Sequence, residues 1–267
     1  MRRSQPEQGD IFLVIGLGLL GNLACQFLSN NGCRVIGIDP DITKVELAKQ
    51  IKNTDAFCNI DQVKSTMDFH SKGYGADGVI IAAASKSDDI VSMAFDLCRK
   101  KGRVIVVGDV GLALKREDFY KKEIDFLIST SYGPGRYDDD YEVYGEDYPY
   151  AFVRWTENRN MLLYLDLIAS GSINIDFLIK NIVSIEASAA AYESLKNTDS
   201  PVSLIFDHPQ LSESTENNSK IFHEETNSIL AENKAVIGII GAGSFCRGMH
   251  LPNIKKLDDI FQIHAVA

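Results

Sequence analysis

Residues 11–21 read I-F-L-V-I-G-L-G-L-L-G, and this stretch decides the fold. The five apolar residues that open it predict a buried strand of a parallel sheet, because such strands are covered on both faces. Three glycines follow in the spacing G-x-G-x-x-G, at Gly16, Gly18 and Gly21. The next apolar residues recur with helical spacing until Asn-Asn-Gly at 30–32, which is a helix-ending signal. The stretch therefore predicts a strand, a glycine turn and a helix.

A second strand follows at Arg34–Ile38 and ends on Asp39, which completes a β-α-β unit. Helices and strands then continue to alternate along the chain. The further elements predicted from the pattern are helices at Asp41–Ile51 and Asp88–Lys101 and strands at Ala56–Cys58, Asp77–Ala84, Gly102–Gly108 and Glu123–Ser129. This alternation predicts an α/β fold of the Rossmann type, with a doubly wound parallel sheet.

The glycine turn has the residue types that a dinucleotide requires. Gly16 permits a tight turn out of the strand, Gly18 leaves room for a pyrophosphate, and Gly21 lets the helix pack closely. The start of the helix, where Leu20 lies, offers free N–H groups and the positive end of the helix dipole to the phosphates. The alternative is a glycine turn with a purely structural role, because the motif alone is weak evidence.

Asp39 is the acidic residue that such a unit places at the end of its second strand. Its carboxylate is predicted to accept hydrogen bonds from the ribose hydroxyls of the adenosine half. A carboxylate there repels a 2′-phosphate, so NAD is the expected cofactor and NADP is less favoured.

The composition narrows the class of protein. A net charge of −10 argues against nucleic acid and against an anionic membrane as partners, and the acidity is explained by solubility alone. The five cysteines form no C-x-x-C pair and no zinc-finger spacing, which favours reduced thiols in the cytoplasm. The basic and apolar N-terminus resembles a signal peptide, but Glu7 and Asp10 interrupt it and the glycines are better explained by the turn.

The first two hundred residues resemble the nucleotide-binding domain of zinc-type alcohol dehydrogenases, the medium-chain dehydrogenase/reductases. The segments that carry the resemblance are V-I-G-L-G-L-L-G at 14–21, G-A-D-G-V-I-I-A-A-A at 75–84 and G-R-V-I-V-V-G at 102–108. The resemblance extends to Asp207 through helices at Asn158–Ala169 and Ile185–Leu195 and a strand at Val202–Phe206. It implies that Lys44 approaches the ribose beside Asp39, and that the backbone around Ala83 and Gly108 lines the nicotinamide half of the site.

The resemblance also has a gap. In that family a β-rich domain before the nucleotide-binding domain supplies the zinc ligands and most of the substrate pocket, whereas ten residues precede the first strand here. No zinc ligand of the family maps onto this sequence, so neither zinc nor catalytic residues are expected in this chain. A small-molecule substrate is expected only together with the missing domain, and the chain is expected to be a window cut from a longer protein.

Residues 131–161 contain six tyrosines, the single Trp, and Arg136, Arg154 and Arg159. One interpretation is a clamp of arginines for an acidic or sugar-nucleotide substrate. The favoured alternative is a surface loop whose arginines pair with Asp138, Asp139, Asp140 and Glu157 and whose aromatic side chains pack on a neighbouring domain. The stretch resembles bidomain oxidoreductases linked with polysaccharide biosynthesis.

A second glycine turn lies near the end of the chain. After a polar segment at 208–233 that is typical of a linker, Ala235–Ile240 predicts a strand, and Gly241 and Gly243 predict a second cofactor-binding turn. The segment I-G-I-I-G-A-G-S-F with H-L-P resembles the opening of the glucose–fructose oxidoreductase/inositol dehydrogenase (Gfo/Idh/MocA) family. The expected domains are therefore 1–207, an alcohol-dehydrogenase-like NAD-binding domain, and 234–267, the truncated β-α-β start of a second Rossmann domain.

Three functions are compatible with these patterns. The first is the NAD-binding part of an oxidoreductase that acts on an alcohol or carbonyl, in a sugar for example, and a homo-oligomer is compatible with it. The second is a non-enzymatic NAD sensor, such as the regulatory domains of potassium transport systems, which share the first glycine turn but not the region 153–161 or the second turn. The third is a methyltransferase, which two nicotinamide-type turns disfavour.

Overall fold

The computed structural model describes residues 1–129, 132–179, 181–195, 201–208 and 234–266. The chain folds as two compact units, Met1–His208 and Pro209–Ala267, and each is described separately. The polar segment predicted as a linker lies, from residue 209 to residue 233, outside the described residues.

A six-stranded parallel sheet forms the centre of the first unit. Its strands are β1 (Ile11–Ile15), β2 (Arg34–Ile38), β3 (Thr54–Phe57), β4 (Ala76–Ile81), β5 (Cys98–Val106) and β6 (Asp125–Ile128). Their order across the sheet is β3-β2-β1-β4-β5-β6. The chain therefore winds outward in both directions from β1, and ligands of such sheets bind at the carboxyl ends of the strands where the order reverses. The predicted Rossmann fold class is confirmed.

Helices cover both faces of this sheet. They are α1 (Leu19–Asn30), α2 (Ile42–Ala48), α3 (Ile60–Ser71) and α4 (Asp89–Leu97). The unit also contains the helices α5 (Arg116–Tyr120), α6 (Asp139–Glu142), α7 (Glu157–Ala169) and α8 (Ser188–Ser194). Side chains of β1 alternate between two apolar clusters, Leu13 and Ile15 in one and Phe12 and Val14 in the other. This double burial explains why the strand is apolar at every position.

The sequence pattern placed the end of α4 four residues too late. The helix ends at Leu97, and Cys98 is already extended, fully buried and paired with Ala76 of β4. Lys101 adopts a left-handed conformation, with φ 58°, which a continuing helix excludes. The pattern also missed α3, whose twelve residues bury only Val63, Met67 and Ser71.

The end of the first unit forms a second, smaller sheet. Strand β7 (Ile182–Ser184) pairs in parallel with β8 (Ile205–Asp207). The predicted strand Val202–Phe206 therefore begins three residues later than expected. The predicted helix at Ile185–Leu195 consists of one 3-10 turn at Ile185–Ala187 followed by α8.

The second unit is a β-α-β arrangement. Strand β9 (Ala235–Ile239) pairs in parallel with β10 (Phe261–Val266), and the connection contains a π-helical turn at Cys246–His250 and α9 (Leu251–Lys255). Among the residues that the structure describes, no helix has the length and apolar character needed to cross a membrane.

Candidate functional site

The first glycine turn joins β1 to α1 at the carboxyl edge of the sheet. Gly16 has φ +91°, a conformation that favours glycine, and its N–H donates to the carbonyl of Ile38 at 2.8 Å. A Cβ on Gly16 would lie 2.6 Å from the backbone nitrogen of Ala83, which follows β4. Glycine is therefore required here both by the backbone conformation and by the neighbouring strand.

Glycine at position 21 and glycine at position 18 have different structural explanations. A Cβ on Gly21 would overlap the carbonyl oxygen of Gly16, so glycine lets α1 pack against the turn. A Cβ on Gly18 would meet no atom of the residues that the structure describes within 4 Å, its chain neighbours apart. Gly18 is the N-cap of α1 and makes no side-chain cap, and Leu20 in the first turn of the helix is 57% exposed. The open space next to the Cα of Gly18 thus adjoins the first backbone N–H groups of α1, which have no acceptor within the helix.

Asp39 connects two loops of the site. Its carboxylate accepts the N–H of Leu17 through Oδ2 at 2.8 Å and the N–H of Asp41 through Oδ1 at 2.9 Å. The side chain is 7% exposed. Sequence reasoning gave this carboxylate a role towards a ribose and missed its structural role in fixing the glycine turn. Each carboxylate oxygen has a second acceptor site, so the two roles are compatible.

Lys44, on α2, pairs with Asp41, which lies two residues after Asp39. Its Nζ lies 3.4 Å from Oδ2 of Asp41. Asp41 caps α2 by accepting the N–H of Thr43 at 2.8 Å and its hydroxyl at 2.7 Å. The Thr43 hydroxyl, together with the backbone N–H and Lys44, lowers the pKa of the Asp41 carboxyl.

Ala83 and Gly108 meet beside the glycine turn. A Cβ on Gly108 would overlap the carbonyl oxygen of Ala83, and Ala83 in turn contacts Gly16. The carboxyl ends of β1, β4 and β5 therefore approach each other without side chains between them. The structure brings Gly16, Gly21, Ala83 and Gly108 into direct contact at this edge, and Asp39 bonds the turn, whereas Lys44 pairs with Asp41 on α2.

A hollow that the sequence did not predict lies beyond this contact. It is lined by residues after β4 and β5, namely Ala84, Ser85, Lys86, Asp109, Val110 and Gly111. The two loops are held together because the N–H of Ser85 donates to the carbonyl of Asp109 at 2.8 Å. The only signal in the sequence was the position of both loops at the ends of neighbouring strands.

The arginines of the middle segment are occupied by contacts within that segment. Arg136 pairs with Glu142 at 2.5 Å, and Arg159 pairs with Asp147 and donates to the carbonyl of Val153 at 2.7 Å. Arg154 lies over the Trp155 ring, 4.0 Å from its centroid. The favoured interpretation of surface ion pairs is correct in kind for two of the arginines, but the carboxylates differ from the predicted ones.

The second glycine turn belongs to the second unit. Gly241 has φ +83°, and the N–H of Gly243 donates to its carbonyl at 2.8 Å. In the described part of the chain, neither glycine has an atom within 4 Å of its Cβ position, chain neighbours apart. A hollow lined by both glycines, Phe245 and His250 opens there, and Cys246, at the place of the third glycine, is buried.

Within the described ranges, no group of three or more His, Cys, Asp or Glu side chains has an arrangement that could hold a metal ion. All five cysteines are free thiols.

Comparison with known proteins supports the resemblance for part of the chain. Residues 20–144 match the model of a protein family described as zinc-binding dehydrogenase. The NDMA-dependent alcohol dehydrogenase of Amycolatopsis methanolica is 31% identical over 101 residues, which cover 38% of this chain and 27% of that protein. The sorbitol dehydrogenase of Halalkalibacterium halodurans is 28% identical over 138 residues, which cover 49% and 40% respectively. The chain thus spans less than half the length of these curated relatives.

Solved structures share the fold. Alcohol dehydrogenase TADH from Thermus sp. ATN1 superposes with a TM-score of 0.56 at 20% identity, over 75% of this chain and 53% of that one. The 2R,3R-butanediol dehydrogenase of Bacillus subtilis gives 0.58 at 16% identity, over 78% and 53%. At these identities the likeness concerns the fold alone.

Proposed function

We propose that the first unit binds NAD at the turn Gly16–Gly21 and serves an oxidoreductase that acts on an alcohol or a carbonyl. The open space above Gly18 carries the proposal, because it lies beside the uncapped first turn of α1. Among the described residues, none would clash with a side chain at this position. A pyrophosphate bound at the start of α1 would explain why residue 18 is a glycine, because a side chain there would occupy the space of the phosphates.

The other predicted residues fit the remaining parts of a dinucleotide. Asp39 has acceptor capacity left for ribose hydroxyls, and Lys44 on α2 pairs with Asp41, whose N–H donates to Asp39. Ala83 and Gly108 offer only backbone and a methyl group at the ends of β4 and β5, as a flat nicotinamide ring requires. The bound cofactor supplies the hydride chemistry, and this chain's part is to bind and orient it.

NAD rather than NADP follows from the charge of Asp39. The carboxylate is held in place by two backbone N–H groups, so it cannot swing away from an added 2′-phosphate without breaking them. The repulsion therefore favours the cofactor without that phosphate.

The substrate class rests on the relatives. They include an alcohol dehydrogenase and a sorbitol dehydrogenase, which supports an alcohol or a sugar alcohol as substrate of the whole protein. We also propose that the second unit is the start of a Gfo/Idh/MocA-type domain, which the positive φ of Gly241 and the β9–β10 pairing support. The free thiols support a reducing, cytoplasmic environment.

Substitution of Gly18 tests the site itself. We expect isothermal titration calorimetry to show NAD binding to the 267-residue chain. Gly18→Val abolishes it, because the branched side chain occupies the space assigned to the pyrophosphate. The variant still folds and loses no more than about 1–2 kcal/mol of stability, the cost of valine at an N-cap, since no atom of the described residues lies in that space. Absence of NAD binding by the wild type, or full affinity of the variant, refutes the proposal.

Substitution of Asp39 tests the cofactor preference. Asp39→Ala also frees the glycine turn, so affinity for both dinucleotides falls. This shared loss cancels in the ratio of the NADP and NAD dissociation constants, whereas the lost repulsion affects NADP alone. We therefore expect the ratio to move towards NADP by about tenfold, or about 1.4 kcal/mol. An unchanged ratio would show that Asp39 has only its structural role.

A further inference from the structure

Asn22 is a buried polar residue directly after the glycine turn. It is the fourth residue of α1, and its side chain is completely inaccessible to solvent. Apolar residues normally fill such positions, because a buried amide loses its hydrogen bonds to water. The residue therefore needs a physical reason beyond packing.

The side-chain amide of Asn22 bonds the turn rather than the helix body. Its Nδ2 donates to the carbonyl of Leu17, and to the carbonyl of Gly18 at 3.3 Å. The backbone N–H of Asn22 donates to the same Gly18 carbonyl at 2.9 Å. The Leu17 carbonyl belongs to the peptide between Leu17 and Gly18, and the Gly18 carbonyl belongs to the next peptide. One side chain therefore fixes the orientation of both peptides.

The preceding peptide, between Gly16 and Leu17, is held by Asp39. The Leu17 N–H donates to the carboxylate, while the Leu17 carbonyl accepts from Asn22. The two side chains thus hold the centre of the turn in one conformation. That conformation directs the open face of Gly18 away from the protein.

The amide oxygen of Asn22 has no hydrogen-bond partner in the described part of the chain. An orphaned buried acceptor destabilises a fold, so the residue is costly as a purely structural element. Unsatisfied polar groups of this kind concentrate at functional sites.

We propose that Asn22 is a positioning residue, which holds the Leu17–Gly18 peptide in the conformation that receives the pyrophosphate of the dinucleotide. This inference rests on the proposed function. Preorganisation of the turn lowers the entropy lost when the phosphates bind. The contribution of Asn22 should therefore be specific for ligands with a pyrophosphate and absent for adenosine alone.

Gln26 provides a matched control, one helical turn further along α1. It is 6% exposed, and its amide exchanges two hydrogen bonds with the backbone of Asn174, at 2.9 and 2.8 Å. Removing it deletes a buried amide of similar burial without touching the turn. A merely structural role of Asn22 predicts that Asn22→Ala and Gln26→Ala behave alike towards ligands.

The experiment measures ADP-ribose by calorimetry and adenosine by ligand-observed NMR, on the full chain. We expect Asn22→Ala to raise the dissociation constant of ADP-ribose about tenfold and to leave that of adenosine within about twofold. Gln26→Ala lowers the melting temperature and changes neither constant. Equal losses for both ligands, or an unchanged constant for ADP-ribose, overturn the proposal.

Two further arms keep the test decisive. If Asn22→Ala does not fold, Asn22→Ser replaces it, because a serine hydroxyl can still donate to the Gly18 carbonyl four residues earlier. We expect a loss for ADP-ribose that is between those of wild type and alanine, about threefold, and a wild-type constant overturns the inference. Failure of the wild type to bind ADP-ribose would instead refute the proposed function, and this inference with it.

Discussion

Gly108, at the end of β5, and Gly18, in the turn, are glycines for different reasons. Substitution by alanine distinguishes a steric requirement for folding from a requirement for ligand binding. Gly108→Ala places a methyl group onto the carbonyl oxygen of Ala83, which is backbone and cannot rotate away. We expect the free energy of unfolding to fall by about 1–3 kcal/mol, as for other overpacked sites. Urea unfolding followed through the single Trp155, which lies in the same unit, measures this loss. Gly18→Ala is the control and should lose no more than about 1 kcal/mol, which is the cost of alanine in place of glycine at an N-cap.

Individual thiols differ in reactivity because burial opposes ionisation. Burial raises the pKa of Cys25 and of Cys98 to about 12, so both remain neutral thiols at pH 8. Cys58 is exposed. We expect Ellman's reagent to modify Cys58 first in the folded chain and to reach Cys25 and Cys98 only on unfolding. Labelling followed by peptide mass spectrometry identifies each site, and early modification of Cys25 would contradict this burial.

Among the elements, α4 shows how a distant side chain can end a helix. The ammonium group of Lys122 donates to the carbonyls of Phe95, Asp96 and Cys98 at 3.0, 2.6 and 3.0 Å. A cation at this end satisfies free carbonyls and opposes the negative end of the helix dipole. We expect Lys122→Met to lower the free energy of unfolding by about 1–2 kcal/mol. Lys121→Met, at the exposed neighbouring position, controls for the lost charge, and equal losses in both variants would refute the capping role.

How well the bounds of an element can be predicted from the sequence depends on whether the residues that fix those bounds lie nearby in the chain. Strand β1, helix α1 and strand β2 were predicted with their observed bounds, because apolar periodicity and the glycine and asparagine signals all agree there. The end of α4 was wrong, since Lys122 acts from 25 residues beyond Leu97 and leaves no local signal. Asp39 was located by pattern, but its bond to Leu17 and the role of Asn22 depend on how the turn folds back, which no spacing reveals.

For the molecule as a whole, the six-stranded sheet of the first unit and the β9–β10 sheet of the second unit differ in how well water is excluded from them. Strand β1 lies inside a six-stranded sheet and has four of five residues buried, whereas no residue of β9 is buried and its sheet has two strands. Small sheets that lack cover open readily, and opening controls the exchange of their amide hydrogens. We therefore expect amide exchange at 235–239 to be about 100-fold or more faster than at 11–15 and 104–106. Hydrogen–deuterium exchange with mass spectrometry on the full chain measures all three segments in one sample, so conditions and intrinsic rates are matched after correction for sequence. Equal protection of the β9 and β1 amides from exchange would contradict this prediction. It would show that β9 is shielded from water by more than the described residues of the second unit.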